Sequence, residues 1–131
     1  LLPNCSIDAV ELNSQLTSTA INQIKENKLV KKVNYFTTKA ETFCNNYPLS
    51  KEFILMDPPR SGCHEDVIHS IKKTSPQNIL YISCHPTMLV RDIALLNKNS
   101  DRYQIKHLQI FDMFPQTDHF ETVCLLSRTE G

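Results

Sequence analysis

Short apolar runs alternate along the chain with stretches whose apolar positions recur at helical spacing, the pattern of an α/β sheet. Residues 7–12 read as a first strand, and Asn13 or Ser14 is placed to cap a helix reaching to about residue 27. In that helix Leu16, Ala20 and Ile24 recur on one face with Ile21 beside them, which predicts a stripe turned to the core. Residues 33–36 form a second strand and residues 40–46 a short helix. A third strand, residues 53–56, stops abruptly at Asp57-Pro58-Pro59. Residues 65–73 are helical, and Pro76 forbids continuation. Residues 79–83, nearly all apolar, predict a central strand. A further helix runs from Pro86, suited to a first turn, to about residue 97. Residues 103–112 and 121–127 are two last strands, expected as an antiparallel pair closing the sheet.

The chain has 131 residues, 40% of them hydrophobic, enough for one domain with one modest core. Fourteen basic and fourteen acidic residues cancel, so a strongly basic nucleic-acid footprint is excluded. Cys5, Cys44, Cys63, Cys84 and Cys124 are an odd set without a CxxC pair, which argues for a reducing, cytoplasmic setting rather than a disulfide scaffold. No long apolar run predicts a membrane span, and the Leu1-Leu2-Pro3 opening lacks a basic signal region and an initiator Met, as expected of a piece of a longer protein. With Gly62 and Gly131 the only glycines, a GxGxxG nucleotide loop is excluded from these residues.

Ligands of an open α/β sheet sit beyond the carboxyl ends of its strands. Those ends carry Glu11, Asp57 and Ser83-Cys84-His85, and Glu121 opens the last strand. Three blocks stand at these places. They are Asp57-Pro58-Pro59-Arg60-Ser61-Gly62, Ile79-Leu80-Tyr81-Ile82-Ser83-Cys84-His85-Pro86, and Phe111-Asp112-Met113-Phe114-Pro115-Gln116-Thr117-Asp118-His119-Phe120-Glu121. In this order and spacing the chain resembles the RNA uracil-5-methyltransferase family, the tRNA and 23S ribosomal RNA 5-methyluridine enzymes, from about Asp8 to Arg128.

The resemblance implies a Rossmann-like S-adenosylmethionine-dependent methyltransferase fold with a mostly parallel sheet. It implies one partial catalytic domain over residues 1–131, in which the family's first core strand and glycine-rich loop would precede Leu1. It also implies roles. Cys84 matches the nucleophile and Glu121 the base, while Glu11 and Asp57 match acids that contact S-adenosylmethionine. RNA, tRNA or ribosomal RNA, is the implied partner, with neither metal nor membrane. Two positions depart from the family pattern. His85 stands for the usual asparagine after the nucleophile, and Met88 for a common threonine, so contacts to uracil are expected to differ.

Plainer roles stand beside these. A cysteine at a strand end is commonly a small buried hydrophobe. Glu121 reads alone as a solvated strand residue, Asp57-Pro58-Pro59 as a strand-ending turn, and Glu11 as an acid favoured at a helix N-terminus. Arg60 has a carboxylate pair as its simpler role. Cys63-His64, Cys84-His85 and His119 match no common zinc spacing, and His119 is expected to shape the site. Lys28, Lys31 and Lys32 read as a solvated surface. The rival functions are a non-catalytic binding module that retains the fold and a cysteine-dependent hydrolase.

Overall fold

The computed structural model describes residues 5–28, 32–100, 102–113, 115–117 and 119–129. Contacts divide the chain into two compact units, Leu1–Tyr47 and Pro48–Gly131.

The first unit is a βαβα segment: β1 (Ile7–Glu11), α1 (Ser14–Glu26), β2 (Val33–Thr37) and α2 (Ala40–Asn46). β1 and β2 pair in parallel from Ile7↔Val33 to Glu11↔Thr37, and a parallel pair needs a crossover such as α1. Of the two candidate caps, Asn13 takes the role. Its Oδ1 accepts from the Gln15 N–H at 2.9 Å and the Leu16 N–H at 3.3 Å. Phe36, Phe43 and Tyr47 form an aromatic cluster with centroids 4.9 to 5.0 Å apart, which fixes α2 and its exit to β2. The apolar stripe expected on α1 is only partly covered within this unit. Thr17 is the buried residue, Ala20, Ile21 and Ile24 are half-buried, and Leu16 remains 57% exposed. A two-stranded sheet offers too little apolar area to cover a whole helix face.

The second unit continues with β3 (Phe53–Met56), α3 (Glu65–Thr74), β4 (Asn78–Ser83), α4 (Pro86–Asn97), β5 (Tyr103–Phe111) and β6 (Glu121–Arg128). Its sheet has the order β3-β4-β6-β5, with β3 parallel and β6 antiparallel to β4. β4 is interior, as its apolar run predicts. The last hairpin does not simply extend the sheet, because β6 inserts between β4 and β5 and leaves β5 at the edge. β5 and β6 pair antiparallel with one register shift between Ile105 and His107.

Burial alternates strictly on both inner strands. Ile79, Tyr81 and Ser83 of β4 lie opposite Leu126, Cys124 and Thr122 of β6, and all six are buried. The apolar four, Ile79, Tyr81, Cys124 and Leu126, make up most of the core with Ile68 and Ile71 of α3 and Leu89 and Leu96 of α4. Each fully buried aliphatic side chain contributes about 1.5–3 kcal/mol, so this layer holds the second unit together. Leu80, Ile82, Val123 and Leu125, on the other face, are half-buried. α3 carries Glu65 and Asp66 in its first turn and Lys72 and Lys73 in its last, matching the helix dipole. It ends at Ser75, in the left-handed region at φ 51°, just before Pro76.

Candidate active site at one edge of the sheet

Parallel pairing of β3 and β4 ends at Met56↔Tyr81, so Asp57 leaves the sheet level with Ile82. On the other side of β4, the last antiparallel rung is Ser83↔Thr122, and one step further brings Cys84 level with Glu121. The carboxyl ends of β3 and β4 and the amino end of β6 are therefore neighbours at one edge of one sheet. They carry Asp57, Cys84 and Glu121. Cys84 and Glu121 are half-buried and Asp57 is exposed; none of the three side chains has a hydrogen bond or ion pair among the described residues.

The turn at Cys84 is built by its neighbour. The Ser83 hydroxyl accepts from the His85 N–H at 3.1 Å and donates to the His85 carbonyl at 3.0 Å, clasping the chain around the cysteine. α4 then starts at Pro86. His85 provides no side-chain cap, and the amino end of α4 stands two residues after the thiol. Unpaired N–H groups there favour negative charge nearby.

Two contacts tie the three blocks together, and neither is apparent from sequence. Arg60 Nη2 lies 3.1 Å from His119 Nδ1, linking the loop after β3 to the segment before Glu121. Arg60 thus meets a ring nitrogen rather than a carboxylate. The second contact is a buried cluster under the loop. Asp92 of α4 is 0% exposed. Its Oδ2 accepts from the Cys63 N–H at 2.7 Å and the Tyr81 hydroxyl at 2.6 Å, and its Oδ1 from Arg91 Nε and Nη2 at 2.8 and 2.6 Å. Arg91 Nη2 also donates to the Cys63 carbonyl at 3.2 Å, and the Cys63 thiol to the Tyr81 hydroxyl oxygen at 3.8 Å.

Burial pushes the Cys63 thiol up to about 12, offset in part by the Tyr81 hydrogen bond. Burial and donation to Asp92 raise the Tyr81 hydroxyl far above the phenol range. Cys63 is thus a protonated structural thiol. A signal for Asp92 was present in the sequence: Leu89, Asp92 and Leu96 fall on one helical face, so the aspartate occupies a core position.

Glu11 ends β1 in the first unit. Its Oε1 accepts from the Asn13 N–H at 2.7 Å, at the start of α1, and its other oxygen takes no hydrogen bond among the described residues. The helix-terminus role and a remaining acceptor therefore coexist in one carboxylate. Lys28 is exposed, Lys32 is half-buried, and Lys31, Phe114 and Asp118 lie outside the described residues. Among the described residues no group of three His, Cys, Asp or Glu could hold a metal, and no helix is long and apolar enough to cross a membrane.

The family profile described as tRNA (uracil-5-)-methyltransferase matches residues 4–129. An uncharacterised RNA methyltransferase of Bdellovibrio bacteriovorus is 37% identical over 125 residues, which cover 92% of this chain and 31% of the relative. One from Thermotoga maritima is 42% identical over 96 residues, 73% of this chain and 21% of the relative. The chain thus spans less than a third of the length of either relative. Among solved structures, the Pyrococcus abyssi tRNA (uracil-54, C5)-methyltransferase in complex with S-adenosyl-L-homocysteine has a TM-score of 0.76 at 24% identity, over 92% of this chain and 28% of that one. A precorrin-6y C5,15-methyltransferase from Geobacter metallireducens has a TM-score of 0.67 at 17% identity, over 100% of this chain and 70% of that one. The fold is accordingly the Rossmann-like fold of methyltransferases, as expected. The chain belongs to the tRNA (uracil-5-)-methyltransferase family.

Proposed function

We propose that these residues are part of one catalytic domain of an S-adenosylmethionine-dependent RNA methyltransferase that modifies carbon 5 of uridine in tRNA or ribosomal RNA. The observation that carries this reading is the shared sheet edge, where strand register brings Cys84 level with Glu121 beside Asp57.

Carbon 5 of uracil is a poor nucleophile unaided. The Cys84 thiolate adds to carbon 6, and the displaced electron pair makes an enolate with its nucleophilic end at carbon 5. S-adenosylmethionine, when bound, supplies the electrophilic methyl group that carbon 5 takes up. Glu121 then removes the carbon 5 proton, the double bond re-forms, and the thiolate leaves. Cysteine suits both halves, since it attacks and departs well. A target base held in a helix has to be turned out of its stack first.

The carboxylates fit the cofactor's chemistry. Glu11, with an oxygen unengaged at a strand end, suits ribose hydroxyls, and Asp57, exposed at another strand end, suits a hydroxyl or ammonium donor. The reaction as written needs no metal. A cytoplasmic location is part of the reading and rests on five cysteines, an odd set without a CxxC pair.

The test uses the full-length protein, S-adenosylmethionine and a transcript containing 5-fluorouridine. Fluorine at carbon 5 cannot leave as a proton, so a stable protein–RNA adduct is expected in the wild type and none in Cys84→Ala. A folded, cofactor-bound protein that forms no adduct would overturn the mechanism and favour a binding module.

A further inference from the structure

We propose that Asp92 is the positioning residue of this site: from beneath, it fixes the Asp57–Cys63 loop against the strand and helix that flank Cys84. The inference rests on the function proposed above.

The loop has two anchors. At its start β3 holds Met56 in the sheet, and at its end Asp92 and Arg91 take both the N–H and the carbonyl of Cys63. Between them the Gly62 N–H donates to the Pro59 carbonyl at 2.8 Å, closing the turn that bears Arg60. Gly62 has φ 80°, and a Cβ there would meet Arg91 Nη2 and lie 2.9 Å from Asp92 Oδ2, so loop and carboxylate are in direct contact. The same Asp92 oxygen accepts from Tyr81, which lies three residues before Cys84 on β4, while Asp92 itself sits on the helix that follows Cys84. One carboxylate therefore sets three pieces relative to one another: the Asp57 loop, the strand entering the cysteine turn, and the helix leaving it.

Packing alone does not explain the residue. A carboxylate with no exposure is costly to desolvate, and an apolar side chain of similar size commonly serves a core as well or better. What the carboxylate adds is direction, since its two oxygens collect four donors at 2.6 to 2.8 Å. Asp92 is fully enclosed, which leaves it no surface for a ligand to touch. Its effect on the reaction passes through the loop, and so through Asp57 and through Arg60 to His119.

A positioning role and a purely structural role leave different kinetic marks. Loss of folded protein lowers the maximal rate and leaves both Michaelis constants unchanged. Displacement of the Asp57 loop raises the KM for S-adenosylmethionine. For Asp92→Asn in the full-length protein, the expected rise in the cofactor KM is on the order of tenfold, because small misplacements of a binding group act on this scale. Tyr81→Phe keeps the core volume, removes one of the four donors, and is expected to shift the same constant less. The two changes in one variant should be less than additive, since both act on one network.

If Asp92→Asn does not fold, Tyr81→Phe and Arg91→Lys carry the test. Unchanged cofactor KM in the folded variants, with only the maximal rate reduced, overturns the inference. The wild-type 5-fluorouridine adduct separates this from failure of the underlying reading. Adduct formation with an unchanged cofactor KM in the variants rejects the role of Asp92 alone, and no adduct in the wild type removes the function on which it rests.

Discussion

At the scale of the residue, the site depends on side chains that are left unengaged. Cys84 and Glu121 sit at the ends of neighbouring antiparallel strands without partners among the described residues, whereas Ser83 and Thr122, one rung back, are buried. That contrast follows from the two-residue period of a strand, which turns alternate positions to opposite faces. The proposed mechanism assigns different outcomes to the loss of each group. In that mechanism, removal of the Cys84 thiol should stop the reaction before any bond to RNA forms. Removal of Glu121, the proposed base, should stop it after carbon 5 has been methylated but before the cysteine can leave. Glu121→Gln should therefore accumulate a covalent adduct with an ordinary uridine transcript and S-adenosylmethionine, whereas wild type turns over. The adduct is read on a denaturing gel, and turnover should fall at least about a hundredfold, the usual scale of a lost general base. Rapid turnover in Glu121→Gln would assign the base elsewhere.

At the scale of the element, the strand and helix positions were legible because each carries its own local marks. β4 is an apolar run, α3 ends before Pro76, α4 opens on Pro86, and Asp57-Pro58-Pro59 stops β3. Contacts joining elements far apart in the chain were not legible. The meeting of Arg60 with His119, and of Cys63 with Asp92, depends on sheet order and register, which local periodicity does not encode. The expected burial of Leu16 failed for a related reason: amphipathicity shows which face is apolar and not how much sheet exists to cover it. The loop from Asp57 to Cys63 also holds a sharp local requirement at Gly62. Its positive φ and the proximity of Arg91 and Asp92 leave no room for a methyl group. Gly62→Ala should cost about 1–3 kcal/mol from backbone strain alone, seen as a lowered urea midpoint with an unchanged m-value. A midpoint equal to wild type would mean that the loop adapts without strain.

At the scale of the whole molecule, charge and burial pull in different directions. The formal charge is zero, so these residues contribute no broad electrostatic attraction to phosphate, and any such attraction is local. Stability, by contrast, carries a definite pH dependence. Burial raises the thiols of Cys63 and Cys124 and the hydroxyls of Tyr81 and Tyr103, with the Asp92 hydrogen bond adding to Tyr81 and nearby Arg102 and Arg128 partly offsetting the rise at Tyr103. In each case the folded state holds its proton to higher pH than the unfolded chain. Below the ordinary cysteine value of 9.0 both states are protonated and their difference is constant. Above it the unfolded chain ionises first, so stability falls as pH rises toward the Cys63 value of about 12. Each such group can add at most about 1.4 kcal/mol per pH unit to the slope. The free energy of unfolding, measured by urea titration, should be level with respect to these groups from about pH 7 to 8 and decline steeply from about pH 9.5 to 11. Cys124→Ala removes one of them from the core and should make the alkaline decline shallower, even though the lost sulfur lowers stability at pH 7.5. An equal slope in Cys124→Ala and wild type would show that the Cys124 thiol titrates alike in the folded and unfolded states.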